Sequence, residues 1–404
     1  MKSAETEASV TQSEPLPHQR FQPIAPARAR SVPSAYPLGF LGMLVLILGV
    51  ESFVILGGPR FLDPVAFSWS WSASAAVDKA PGSDILVLGD SLAKHGLVPR
   101  VIEEATGRIA YNLAVAAGPV PVTQTILRRA LDSGAKPSAI IFDLKPGMMV
   151  GGPRYATRYW PQVLSFPELL GLARMARSGL FTAELFTGLL LPSYRSRHEI
   201  RGEIMAALRN ETGPLRAINS LCRRNWSVNQ GANLATRRPA YQGIVTESEH
   251  EEHLSSRFSA HRVNAEYARR LVAMAATHNI KTYLIIPPFV PEIQSRRYKS
   301  GSAAKYTLFV KSLQDRFPGL TVLDASDSSY PASVFVDPIH LDAGGAVALS
   351  ADLADILQRD LNNPKLSPQK RRWISLPPYR RRSLPAEIED VETSRERLDA
   401  ADRR

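Results

Sequence analysis

Asp84-Ile85-Leu86-Val87-Leu88-Gly89-Asp90-Ser91 is the stretch whose reading decides the fold. Bulky aliphatic residues run into a Gly-Asp-Ser turn, and Leu92-Ala93-Lys94-His95 can start a helix behind it. A short apolar run bounded by turn residues reads as a strand buried on both faces of a parallel sheet. In open α/β sheets, chemistry collects in the crevice beyond the carboxyl ends of such strands. Ser91 stands at that point. On this stretch alone two readings are equal: a nucleophile facing the crevice, or a serine that caps the following helix.

The far end of the chain separates them. Val334-Phe335-Val336-Asp337-Pro338-Ile339-His340-Leu341 is followed by Asp342-Ala343-Gly344-Gly345 and an apolar-periodic helix expected over 346–361. A carboxylate three residues before a histidine, on a loop ahead of a helix, can orient the imidazole and stabilise its protonated form. The imidazole can then take the proton from a serine hydroxyl. The order Ser…Asp…His, with Asp and His close together, favours the nucleophile.

Gly89-Asp90-Ser91 and Asp337-Pro338-Ile339-His340-Leu341 resemble the first and last blocks of the SGNH (GDSL-type) hydrolase superfamily. Tyr111-Asn112-Leu113-Ala114-Val115-Ala116-Ala117-Gly118 is similar to its second block. The resemblance implies an α/β fold, a flavodoxin-like three-layer sandwich around a parallel sheet. It also implies activity as an esterase, lipase or carbohydrate O-acyltransferase. Ser91 would be the nucleophile, His340 the base and Asp337 its orienting carboxylate, with backbone N–H groups at Ser91 and Gly118 facing the oxyanion. The third block should place an Asn after the next strand. Here Ala139-Ile140-Ile141-Phe142-Asp143-Leu144 runs into Lys145-Pro146-Gly147 with no Asn. Losing one side-chain oxyanion donor costs about 2.7–4 kcal/mol of transition-state stabilisation. Three readings follow: Lys145 is a cationic replacement, a group elsewhere replaces the Asn, or turnover is low or absent. As an ordinary loop lysine, Lys145 would be exposed. The resemblance extends over residues 80–361, with its motifs confined to three short blocks.

The rest of the chain sets the surroundings. With 44% hydrophobic and 22% charged residues the composition is globular, and a formal charge of +11 implies an anionic neighbour. A single cysteine, Cys222, excludes an intramolecular disulfide and reads as a small buried apolar residue. Residues 1–36, rich in Pro, Ser, Ala and Gln, read as a disordered arm. Residues 37–58 are apolar apart from Glu51, and about 20 such residues cross a bilayer core. Glu51 lies toward the far half of the segment, where it can reach the interface. Arg20, Arg28 and Arg30 precede the segment and Arg60 follows it, so the positive-inside rule keeps the arm cytoplasmic. The following domain is then extracytoplasmic, in a periplasm. Residues 59–80 read as a juxtamembrane linker, with Phe67, Trp69 and Trp71 at headgroup level.

From 81 to 361 strands alternate with helices, five strands in all, which predicts a doubly wound parallel sheet. An insertion over about 151–252 breaks the rhythm with helices and a scatter of Arg154, Tyr155, Arg158, Tyr159 and Trp160. It reads as a lid, a docking surface or a half-solvated face. Residues 362–404, with Lys370-Arg371-Arg372 and Arg380-Arg381-Arg382, read as a disordered basic tail. No metal-ligand spacing, phosphate loop, dinucleotide fingerprint or nucleic-acid motif is present, and His250 and His253 read as a solvated helix start. The expectation is therefore a single-pass membrane protein with no cofactor, no metal and no nucleic-acid partner. The lipid bilayer is one expected partner. The resemblance adds O-acyl, in particular acetyl, transfer to or from cell-envelope polysaccharide, beside an acyl-donor membrane protein. A carbohydrate or lipid esterase is one alternative, and a catalytically weak glycan-binding or assembly module is another.

Overall fold

The computed structural model describes residues 38–403 apart from 212, 240, 248, 250–257 and 363–371. The N-terminal arm, His250, His253, the expected helix start at Glu252 and Lys370-Arg371 lie outside the described residues. Two units are distinguished, one ending at Leu48 and one spanning Gly49–Arg404. The first contributes the opening part of helix α1 (Leu38–Gly57), whose stretch Gly39–Gly57 is long and apolar enough to cross a membrane. All that follows concerns the second unit.

Six strands form one sheet: β1 (Ile85–Leu88), β2 (Ala110–Asn112), β3 (Ala139–Asp143), β4 (Lys281–Ile286), β5 (Leu320–Asp324) and β6 (Arg372–Ser375). Their order is β2-β1-β3-β4-β5-β6 and every pair is parallel. Side chains alternate across the sheet, as the period of two demands. Leu86 and Leu88 enter a cluster with Ile126, Phe142 and Leu271 on one face. Ile85 and Val87 enter another with Ile102, Ile141 and Leu353 on the opposite face. All four are fully buried, each stabilising the fold by about 1.5–3 kcal/mol. The chain passes from β1 to β2 on one side and returns to β3 on the other. The strand order therefore reverses at β1, and the crevice opens beyond its carboxyl end.

Two segments depart from the sequence reading. The supposed linker is helix α2 (Pro64–Asp78), capped by Asp63, whose Oδ1 accepts from Ala66 N at 2.7 Å. Its aromatic residues are core rather than headgroup anchors. Phe67 stacks on Trp226 at 5.4 Å between centroids, and Trp69, fully buried, meets Trp160 edge-on at 5.1 Å. The supposed tail adds β6 beside β5 and a helix, Val391–Asp402. Buried Glu389 explains its order: Arg224 grips the carboxylate with two nitrogens at 2.9 and 2.8 Å, and Asn225 and Asn229 donate to its carbonyl. Those partners sit on or just after helix Pro214–Val228 of the insertion, out of reach of any local composition rule. Within the insertion, the aromatic–basic scatter is a half-solvated face, one of the expected readings: Arg154 and Tyr155 are exposed and Arg158 and Tyr159 half-buried. Arg158 pairs with Asp63 at 2.8 Å and Glu199 at 2.6 Å, and Trp160 is fully buried.

Candidate active site

Beyond β1 the backbone turns through Gly89, whose φ of +126° is open to glycine alone. A Cβ there would stand 1.7 Å from Asp143 Oδ1. That oxygen, at the end of β3, accepts the Asp90 N–H at 2.8 Å. Asp90 in turn caps helix α3 (Ser91–Gly96), accepting from Leu92 N at 2.7 Å. With these amides used, the Ser91 N–H is left without an acceptor among the described residues. Ser91 is thus the first residue inside the helix and not its cap, a place that Asp90 takes, and the Ser91 hydroxyl is free for other work.

That hydroxyl meets His340. Ser91 Oγ lies 2.8 Å from His340 Nε2, and His340 Nδ1 lies 2.7 Å from Asp337 Oδ2. The other carboxylate oxygen, Oδ1, accepts from Ile339 N at 3.0 Å and His340 N at 2.9 Å, which fixes the tight turn between the two residues. Partial burial raises the Asp337 carboxyl, but the hydrogen bond and charge of His340, with the two amides, outweigh it and hold the group well below the usual carboxylate range. Asp337 is therefore an anion at neutral pH, keeping the imidazole proton on Nδ1 and leaving Nε2 to accept from Ser91. An isolated antiparallel bridge between Phe335 and Leu341 closes this loop ahead of helix Ala343–Leu361.

The remaining expected residues, Gly118 and Lys145, lie on the loops that follow β2 and β3. Leu113 N and Val115 N donate to Val87 O and Gly89 O, so the loop leading to Gly118 runs beside the serine turn. Helix α2 holds that loop: Ser72 Oγ donates to Ala114 O at 3.0 Å, Ser68 Oγ accepts from Ala116 N at 3.0 Å, and Trp69 Nε1 donates to Ala116 O at 2.9 Å. The Gly118 N–H has no acceptor among the described residues. Lys145 is buried, not the exposed loop lysine of the ordinary case. Its Nζ makes no hydrogen bond among the described residues, and the residue lines a cavity of about 170 Å³ with Pro119, Met148 and Tyr155.

Sequence reasoning missed the second layer. His95 follows Ser91 by four residues, one helical turn, so both face the same way; that spacing was the available signal. Its ring lies 4.8 Å from the His340 ring, and Asn233 Nδ2 lies 3.1 Å from its Nε2. Burial, then the neighbouring charge of His340, lowers His95 to about 3, so it stays neutral beside the site. Lys94 points the other way and is fully enclosed. Its Nζ donates to Ala114 O and Gly231 O, both at 3.1 Å, above the Trp226 ring. Asp143 is the third missed group. Burial, then the charge and hydrogen bonding of Asp90, raise its carboxyl well above the ordinary value, with Lys145 opposing.

The arrangement can remove a proton from a serine hydroxyl and hold the resulting imidazolium against a fixed carboxylate. Two free amides, at Ser91 and Gly118, lie on adjoining turns. No family model matches the chain, and a search of curated proteins finds no match.

Proposed function

We propose that the protein is a membrane-anchored serine acyl-ester enzyme of the SGNH type, moving an O-acyl (acetyl) group to or from cell-envelope polysaccharide. The observation that carries this reading is the unbroken chain Ser91–His340–Asp337, in which a 2.8 Å contact joins Ser91 to a histidine 249 positions away and a 2.7 Å contact joins that histidine to Asp337. Strand order 2-1-3-4-5-6, with the serine at the end of β1 and the Asp-x-x-His ahead of the helix Ala343–Leu361, supports a flavodoxin-like SGNH sheet extended by one edge strand. Ser91 attacks the ester carbonyl while His340 takes its proton. The Ser91 and Gly118 amides receive the oxyanion, and His340 returns the proton to the departing alkoxide. Attack by a sugar hydroxyl on the acyl-enzyme completes transfer, and attack by water completes hydrolysis. A groove of about 740 Å³ beside the catalytic loop, lined by Arg237, Arg381, Arg382 and Tyr379, offers donors to an acidic polymer. The arginines ahead of α1 favour a cytoplasmic N-terminus, an extracytoplasmic domain and access to a membrane-borne acyl donor.

Labelling of the detergent-solubilised protein with a fluorophosphonate, together with release of acetate from an acetylated polysaccharide, tests the reading. Labelling confined to Ser91 and abolished in Ser91→Ala is expected. Equal labelling of Ser91→Ala, or no labelling of the native protein, overturns it.

A further inference from the structure

Large apolar side chains are exposed unevenly outside α1. Among the described residues, ten of the sixteen that stand out lie between Tyr155 and Ile218, within the helical insertion. Apolar side chains exposed together on one face mark a contact surface. One part of the insertion is tied to α1. Glu51, on α1, is buried because its carboxylate accepts from Ser193 N at 2.7 Å and from the Ser193 hydroxyl. Ser193 stands in a short helix, Pro192–Arg195, between Leu191 and Tyr194, both exposed. Glu51 is six residues from the end of α1 at Gly57, which at 1.5 Å per residue is about 9 Å back along the helix axis. The Leu191–Tyr194 turn is therefore level with the last two turns of α1 rather than beyond its end.

The next helix, Arg197–Leu208, carries the same signature. Its buried residue is Ala206, and Glu199 turns inward to Arg158. On the outer face Arg197 and Arg201 are followed by Ile204, Met205 and Leu208, exposed at 53%, 42% and 76%. Steps of three and four residues put all five on one side. A basic and apolar stripe of this kind suits a helix lying in the headgroup layer, its apolar side chains reaching 5–10 Å into the acyl boundary. We propose that the segment Leu190–Leu208 is a second membrane contact, lying in the plane of the outer leaflet beside the anchor, with Arg197 and Arg201 on anionic lipid headgroups. The proposal rests on the reading of α1 as a membrane span.

The test uses the full chain in vesicles of phosphatidylcholine and phosphatidylglycerol, with a nitroxide placed at one cysteine at a time on a Cys222→Ala background. Accessibility to oxygen, which concentrates in lipid, is compared with accessibility to a water-soluble nickel chelate. Labels at Leu191, Ile204 and Leu208 should favour oxygen several-fold over labels at Ile109 and Leu308, which are exposed elsewhere on the domain. A label at Leu46 reports the span itself. Lipid-like values at Leu46 with water-like values at Ile204 and Leu208 overturn the second contact while leaving the anchor intact. Water-like values at Leu46 overturn the anchor reading itself. Labels at Ile204 and Leu208 shielded from both reagents mean that protein covers the face, which also overturns the proposal.

Discussion

Replacing Asp143 by Asn probes the buried carboxyl pair behind the Ser91 turn. Asp143 and Asp90 are each 3% exposed, and the second oxygen of each is sealed from solvent without a partner. Burial and the Asp90 charge raise the Asp143 carboxyl well above its ordinary value, so the folded protein retains a proton that the unfolded chain releases. Stability from this group is complete below the unfolded pKa, about 3.9, and declines as pH rises toward the raised folded value. The slope is up to about 1.4 kcal/mol per pH unit. An amide has the shape of the protonated acid, still accepts the Asp90 N–H, and never ionises. Asp143→Asn should therefore match the native protein near pH 4, within about 1 kcal/mol, the scale of one hydrogen bond. It should then gain on the native protein with each unit of pH toward neutrality. Urea unfolding in detergent, followed by tryptophan fluorescence at pH 4, 5, 6 and 7, measures the difference directly. A variant less stable by about 3 kcal/mol at every pH, with parallel curves, would show Asp143 working as an anion and refute the reasoning.

Three further outcomes are expected. Ser91→Ala and His340→Ala should each remove most ester turnover, and the double variant should lose little more, because a hydrogen-bonded pair fails as a unit; additive losses in steady-state kinetics would contradict the pairing. Lys145→Met should lower kcat about 10²-fold with KM little changed if the buried ammonium takes the place of the missing Asn, and should be kinetically silent otherwise. Gly89→Ala should destabilise the domain by about 2–4 kcal/mol, from backbone strain and loss of the Asp143 hydrogen bond to Asp90, visible as a lower urea midpoint.

Much of the site was legible because its signals are local. Ile85–Leu88 announces a doubly buried strand, and Asp337 and His340 sit three apart on one turn, so residue type and spacing suffice. The pairing of Ser91 with His340 spans 249 positions, and only the order of motifs hinted at it. What stayed hidden is order conferred by distant partners. Arginine- and proline-rich composition between Trp373 and Arg382 signals disorder unless Arg224, Asn225 and Asn229 are known to await Glu389. Likewise Phe67, Trp69 and Trp71 suit a membrane interface as well as a core, and Trp160 and Trp226 decide the matter from within the insertion.

The contact of α2 with the loop 114–116 changes where this protein can be cut. Sequence boundaries place the severing point near Ala80, just ahead of the first strand. A chain shortened there would keep the sheet and the Ser-His-Asp residues, yet lose Ser68, Trp69 and Ser72, which brace the approach to Gly118. It would also open the aromatic nest around Trp226, over which Lys94 sits. A cut ahead of Asp63 keeps the helix cap and its ties to Arg158 and Tyr159. The body that carries the Ser91–His340–Asp337 chain thus begins about twenty residues earlier than its first strand, and the stretch that follows α1 is a working part of that body rather than its leash.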